Sequence, residues 1–494
     1  MAEKALAPQP LRRRIGPANV VRQAEEPSLR DTAGGAPAAP RFARSMHGFG
    51  ALMITLSALS PSIGVFVAGS DVIHEAGTGA VVCFIAAAVL GVAIACVYAE
   101  LSSAFPETGG EYTMAGRTLS PGFGFAALGL NLANFPVAQA VSALGVAAYL
   151  RVAAPGVPLV PAAIVLILIV NVIAILNIRV NAWITGVFLS LEAASLSLVA
   201  WLGATHLRRP VFDVLHPVML SGGHLVPVGL GVLGTAAAGA IFAFDGYGSV
   251  VYIGEEIHEA PHRVAQVIFW ALALAAVLML VPVLTVMAAA PDLARFLAAE
   301  TPLAAFVREA GGPALANAMS LVVALAIFNA MICIALLGAR LAYASGRDGV
   351  WPGLVSEGLA RVHPRFGSPW VATLGMGAAG VGSALLPMDL LVTFLGSGVA
   401  FTYALLSLGV LQGRRTGSSG HAPFRMPLYP VAPVFALAVL AVVVVTALMD
   451  PVSGRPGLLA NAGLMLAIVL YWQFGLKRRG GWAHKGPHAR GLAD

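Results

Sequence analysis

Long apolar runs separated by short polar connections fill the chain from about residue 49 to residue 476. A helix needs about 20 apolar residues to cross the hydrocarbon core of a bilayer. Runs of that length predict twelve spans, at 49–74, 79–104, 123–150, 158–177, 181–204, 229–254, 265–290, 312–342, 370–387, 390–412, 430–449 and 458–476. The eighth is overlong and is expected to continue beyond the membrane. The ninth and tenth are parted only by Pro387, Met388 and Asp389. The pattern predicts an all-α integral membrane protein, with a ten-helix core over 49–412 and two additional helices within 413–476.

Composition agrees with that pattern. Hydrophobic residues make up 58% of the 494 and charged residues 11%, against about 25% charged in an ordinary soluble domain. The three cysteines, Cys83, Cys96 and Cys333, all lie in apolar runs without a C-x-x-C pair, and read as reduced packing residues. Residues 1–48 are rich in Pro, Ala, Gly and Arg and have no helical period, so they are expected to be a disordered basic tail; residues 477–494 form a second basic tail. The first tail lacks the apolar core of a signal peptide and is expected to remain on the mature chain.

Positive residues near a membrane stay on the cytoplasmic side. With both termini inside, 23 of the 29 Lys and Arg residues fall on the inner side and 6 on the outer. Twelve spans in the cell (inner) membrane with both ends cytoplasmic are therefore expected. The net charge of +6 follows from topology. A nucleic-acid partner has no basic stripe or aromatic interleaving to support it.

Two spans are interrupted near their middles. The first contains Ser60-Pro61-Ser62-Ile63-Gly64, where Pro61 removes a backbone donor and Gly64 tolerates any φ. A broken helix and a simple proline kink both fit. The sixth contains Asp245-Gly246-Tyr247-Gly248. An intramembrane carboxylate costs roughly 2.5–3.5 kcal/mol on insertion scales and should face a partner or a cavity. Asp245 can contact solute, cap the second half-helix, or do both.

These spans occupy corresponding places in two five-helix halves, 49–204 and 229–412. Because five is odd, the second half runs in the opposite sense. Paired interruptions in inverted repeats point to the binding site of a secondary transporter. The free N–H groups of Ser62, Ile63, Gly64 and Val65 suit a carboxylate, and the carbonyl ends near Ser60, Phe242 and Phe244 suit an ammonium. Asp245, Gly246 and Tyr247 complete the predicted site, which requires no metal or cofactor.

Four stretches make the chain resemble the amino acid–polyamine–organocation superfamily of permeases: SPSIGVFVAG, YAELSSAFPETGGEY, FAFDGYGSVVYIGEEIHEAPHR and ARLAYASGRDGVWP. The form FDGY is most similar to L-type and related bacterial amino acid permeases. The resemblance implies the leucine-transporter fold and transport of an amino acid or related amine by proton symport, exchange or facilitated diffusion. Two departures stand out. Many relatives have Gly-Ser/Ala-Gly where this chain has Ser62-Ile63-Gly64, and several proton-coupled relatives have Lys where it has Glu192. Glu192 can carry a proton, attract a cationic solute or pair with a polar group. Asn131, Asn134, Gln139 and Asn329 are further polar residues within spans. Tyr98, Glu100, Arg117, Glu255, Glu256, Arg263, Arg347 and Asp348 are expected to form ion pairs of a cytoplasmic gate. The residues do not specify the oligomeric partner.

One motif points elsewhere. HEAPH, from His258 to His262, matches the H-E-x-x-H of zinc proteases, whose two His must share a helix face. Pro261 lies between them and opposes a continuous helix there. A zinc protease and a non-transporting receptor are thus the alternatives outside transport, and an exchanger without proton coupling is the alternative within it. HEAPH reads as the end of the sixth span, with Pro261 as its helix stop.

Overall fold

The computed structural model describes residues 44–484 apart from 154, 155, 300, 452, 453 and 481. The predicted tail over 1–43 and the end of the second tail, 485–494, lie outside the described residues. What is described is almost entirely helical. In chain order come α1 (Gly48–Leu59), a π-helical segment (Ile63–Ala68), α2 (Gly69–Ala76), α3 (Ala80–Ala104), α4 (Glu111–Thr118), α5 (Pro121–Ala153), α6 (Leu159–Ala174) and α7 (Ile178–Thr205). After a hairpin, β1 (Val218–Ser221) and β2 (His224–Pro227), come α8 (Leu230–Ala243), a 3₁₀ segment (Ser249–Glu256), α9 (Ala260–Ala289), α10 (Leu293–Leu297), α11 (Pro302–Arg347) and α12 (Gly353–Leu359). The chain closes with α13 (Trp370–Ser383), α14 (Met388–Thr416), α15 (Val431–Met449) and α16 (Gly454–Leu470).

Eight helical stretches among the described residues are long and apolar enough to cross a membrane, and α6 and α8 are shorter apolar helices. Their outer faces carry large apolar side chains in the open, including Trp183, Trp201, Val172 and Leu321, as expected where lipid rather than water is the solvent. Inside, α1 packs on α7 and α9, α3 on α8 and α9, and α5 on α11. The helices α15 and α16 lie against α14, with α15 also on α3 and α16 on α5.

The first break falls at Ser60, which adopts φ 49°, ψ 86°. Pro61 is the local cause, because the residue before a proline is pushed out of the helical region. The chain resumes through Pro61 into the π-helical turn over Ile63–Ala68, a geometry that recurs at functional sites. The second break falls between Ala243 and Ser249, where Gly246 adopts φ +115°. A Cβ on Gly246 would lie 2.8 Å from Leu59 Cα, and one on Gly64 would lie 3.1 Å from the Ala243 carbonyl oxygen. The two glycines let the interrupted backbones touch.

Two features depart from the sequence reading. The connection between the fifth and sixth spans contains the β1–β2 hairpin, paired from Val218↔Pro227 to Ser221↔His224. Its turn is Gly222-Gly223, both at positive φ, the residue type that two-residue hairpin turns require. Pro261 is the second departure. The 3₁₀ segment already ends at Glu256, Glu259 adopts a left-handed conformation, and Pro261 sits in the first turn of α9. It starts a helix instead of stopping one, since its missing N–H would have no partner there anyway.

Candidate functional site

The two breaks border a cavity of about 570 Å³, within the range of small-molecule sites. Of the ten residues predicted to contact solute, Ile63, Gly64, Phe242, Asp245 and Gly246 line it. Ser60, Ser62, Val65, Phe244 and Tyr247 do not; all five are buried away from it. The reason is facing. On a helical turn, neighbours in sequence point in different directions, so a contiguous motif cannot present every side chain to one space. Phe244 packs edge-on to Phe84 and Tyr247 edge-on to Tyr98, with ring centroids 6.1 and 6.4 Å apart.

Three of the four amides predicted to cradle a carboxylate at the first break, those of Ser62, Ile63 and Gly64, are already engaged. Glu192, fully buried on α7, accepts from the Ser62 backbone N–H at 2.7 Å and from the Ser60 hydroxyl at 3.0 Å, both at Oε1. The amides of Ile63 and Gly64 both reach the Ser60 carbonyl, at 3.0 and 3.2 Å. A carboxylate from within the protein thus occupies the place assigned to the carboxylate of a solute. Glu192 does not line the cavity. Its Oε2 is buried without a hydrogen-bond partner among the described residues.

The second break differs. Asp245 is half-buried on the cavity wall, and its Oδ1 accepts from the Tyr403 hydroxyl on α14 at 2.6 Å. Tyr403 is a site residue that the sequence reading missed, since a lone tyrosine in an apolar run carries no positional signal. Asp71, exposed on α2, and Glu111 of α4 line the same cavity. Glu111 is buried and accepts from the Tyr98 hydroxyl at 2.8 Å. Burial pushes its carboxyl up to about 6, against the pull of hydrogen bonds from Tyr252 and Tyr98. No Lys, Arg or His is among the described lining residues. Asn131, Asn134 and Thr402 also line the cavity, and each has a buried polar atom without a hydrogen-bond partner among the described residues. Gln139 and Asn329 serve packing instead, bonded to Asn171 at 3.1 Å and to the Thr185 carbonyl at 3.3 Å.

Tyr98, Tyr403 and Glu111 line the cavity together, with the rings of the two tyrosines 6.1 Å apart and edge to face. Close in sequence to Tyr98 and Glu111 stand residues of a set of ion pairs that are buried or largely buried. Glu107 meets Arg117 at 2.7 Å and Glu255 meets Arg347 at 2.6 Å; Glu255 also accepts from the Thr108 amide at 3.0 Å. Arg347 reaches Asp348 at 3.2 Å, Glu256 is held by Arg340, and Glu100 takes Arg414 on both oxygens at 2.7 Å. Burial pushes the Glu107 carboxyl up, and Arg117 pulls it back. Of the residues predicted for ion pairs, Glu100, Arg117, Glu255, Glu256, Arg347 and Asp348 are in such pairs; the partners Glu107 of Arg117, Arg340 of Glu256 and Arg414 of Glu100 were not foreseen. Among the described residues Arg263 pairs only with the nearby Glu259, at 3.3 Å and in the open.

The HEAPH residues do not form a zinc pair. His258 lies outside any helix, its amide bonded to the Met46 carbonyl at 3.0 Å and its ring 5.0 Å from that of His47, whereas His262 lies in α9.

Apolar spans around a solute-sized, acid-lined cavity define the class: a multi-pass membrane protein that handles a small molecule. The chain belongs to the amino acid permease family, whose model matches residues 47–474. It is 26% identical over 414 residues to the branched-chain amino acid permease BcaP of Bacillus subtilis (strain 168), covering 78% of this chain and 85% of that protein. It is 25% identical over 420 residues to the methylthioribose transporter of the same organism, covering 81% and 87%. It is 22% identical over 325 residues to the low-affinity putrescine importer PlaP of Escherichia coli (strain K12), covering 63% and 68%. The protein is a permease of the amino acid–polyamine–organocation superfamily, a transporter and not an enzyme.

Proposed function

We propose that the protein is a secondary active transporter that moves an amino acid or related amine across the cytoplasmic membrane by alternating access. Its core, 49–412, is read as the inverted repeats 49–204 and 229–412, followed by two helices in 413–476. That gives twelve spans with both termini cytoplasmic. The first, second, sixth and seventh spans rock against the rest.

One observation carries the solute class: Asp71, Glu111 and Asp245 line the cavity, and no Lys, Arg or His does among the described residues. An ammonium group answers that charge, and an isolated carboxylate finds no cation. With the amides of Ser62, Ile63 and Gly64 committed, amines of net positive charge are favoured over zwitterions. Asp245 holds the ammonium and Tyr403 orients Asp245. The apolar body of the solute lies on Phe135, Phe242 and Ile334.

The cavity includes Val67, Asp71 and Ala238, from the outer halves of their spans in this orientation, and Met388, from the outer connection between the ninth and tenth spans. The buried ion pairs lie towards the cytoplasm. The structure therefore suits a state closed to the inside. Glu192 is assigned the coupled proton. When charged it ties α7 to the second half of the first span through Ser62; once protonated it loses the charge that holds that amide, and the first span is freer to move. Exchange without protons is the second reading, favoured by the absence of Glu192 from the described cavity lining.

Uptake into proteoliposomes tests the proposal. Labelled amines and cationic amino acids should enter and exchange, faster with an inward proton gradient. Absence of flux for every amino acid and amine tried would refute the assignment, and counterflow without any gradient effect would select exchange.

A further inference from the structure

We propose a second binding site, for an anionic phospholipid headgroup, at the cytoplasmic end of α1 and α9. The placement rests on the orientation given above; lipid binding itself is measured without transport. A groove of about 750 Å³ lies there, lined among others by Arg44, His47, His258 and Arg263. The HEAPH segment supplies its inner lip. Glu259 is the one acidic side chain in the described lining, and it offsets one of the two arginines. Arg44 has no ion-pair partner among the described residues.

The rest of the lining identifies the occupant. Phe49 on α1 and Trp270 on α9 are 73% and 62% exposed. Trp270 is ten residues into α9, roughly 15 Å along its axis, so the apolar wall continues well below the level of the arginines. A basic rim opening onto an apolar track suits a molecule with an anionic head and acyl chains, and basic pockets between helices on the cytoplasmic side recognise such headgroups. A soluble phosphate answers the rim but leaves the track without a purpose.

The groove also lies beside a backbone clamp. The amides of Ser45 and Met46 both bond the Glu256 carbonyl at 3.0 Å, and the His258 amide bonds the Met46 carbonyl at 3.0 Å. A phosphate between Arg44 and Arg263 therefore bridges the segments entering α1 and α9 where they are already tied together.

The test is native mass spectrometry of the full-length protein with phosphatidylglycerol or phosphatidylcholine of matched chains. Wild type should retain phosphatidylglycerol preferentially. The double variant Arg44→Gln/Arg263→Gln should lose roughly tenfold in that retention, while Arg361→Gln, an exposed arginine elsewhere on the same face, should not. Millimolar inorganic phosphate should fail to displace the lipid. Equal retention of the two lipids by wild type, an unchanged preference in the double variant, or full displacement by phosphate would each overturn the proposal.

Discussion

The two interrupted spans present the same sequence signal and serve different ends. In the first, the break at Ser60 is filled from within: Glu192 takes the Ser62 amide and the Ser60 hydroxyl. In the sixth, the break supplies a carboxylate of its own, and Asp245 faces the cavity with Tyr403 as its donor. A broken helix exposes backbone groups that must find partners. Whether those partners come from the protein or from a solute depends on what the neighbouring helices carry. Here α7 carries an acid and completes the first break, and we therefore assign recognition to the second.

The largest effect that separates the two breaks is expected at Asp245. Asp245→Asn should lower transport by at least about 100-fold, the scale of losing a charge-assisted contact with its partner left unpaired, while folded yield stays near wild type. Uptake per folded molecule measures it, and wild-type kinetics would remove Asp245 from the site. Gly246→Ala should act on the fold instead, destabilising by roughly 2–3 kcal/mol through overpacking and a strained φ, since its Cβ would meet Leu59 at 2.8 Å. A thermal unfolding scan reads this, and unchanged stability would mean that the two breaks do not press on each other.

Glu192→Gln separates coupling from binding. Acceleration by an inward proton gradient should disappear while counterflow persists, measured in the same proteoliposomes; an unaltered gradient effect would assign Glu192 to structure alone. The smallest effect concerns Glu111. With its carboxyl raised to about 6 by burial, it is charged above that pH and neutral below it, so a cavity facing Asp245, Tyr98 and Tyr252 loses one negative charge as pH falls. Affinity for a cationic amine should weaken by roughly fivefold between pH 7 and pH 5, and Glu111→Gln should flatten that slope. A slope that survives in the variant would place the titration elsewhere.

How much of this was legible depended on range. The apolar runs and both breaks are readable because each is local: Pro61 dictates the conformation of Ser60, and Gly246 advertises an unusual φ. The Gly222-Gly223 turn of the hairpin is an equally local signal. Facing was not readable, which is why Phe244 and Tyr247 were expected at the cavity and are found packed behind it. Partnerships across the fold were out of reach as well. Nothing near Glu192 in sequence points to Ser62, 130 residues away, and nothing near Asp245 points to Tyr403, 158 residues away. A tyrosine or an arginine in or just beyond an apolar span acquires its role only when tertiary packing brings a carboxylate to it, as with Arg340 and Arg414.

The central claim is that solute is held at the sixth span's break and not at the first. Equilibrium binding of one transported amine to wild type, Asp245→Asn and Glu192→Gln, measured in detergent at constant pH, tests it most directly. Affinity should fall by at least about tenfold in Asp245→Asn and stay within about twofold of wild type in Glu192→Gln. Full affinity in Asp245→Asn together with a comparable loss in Glu192→Gln would contradict it and return the binding site to the first break.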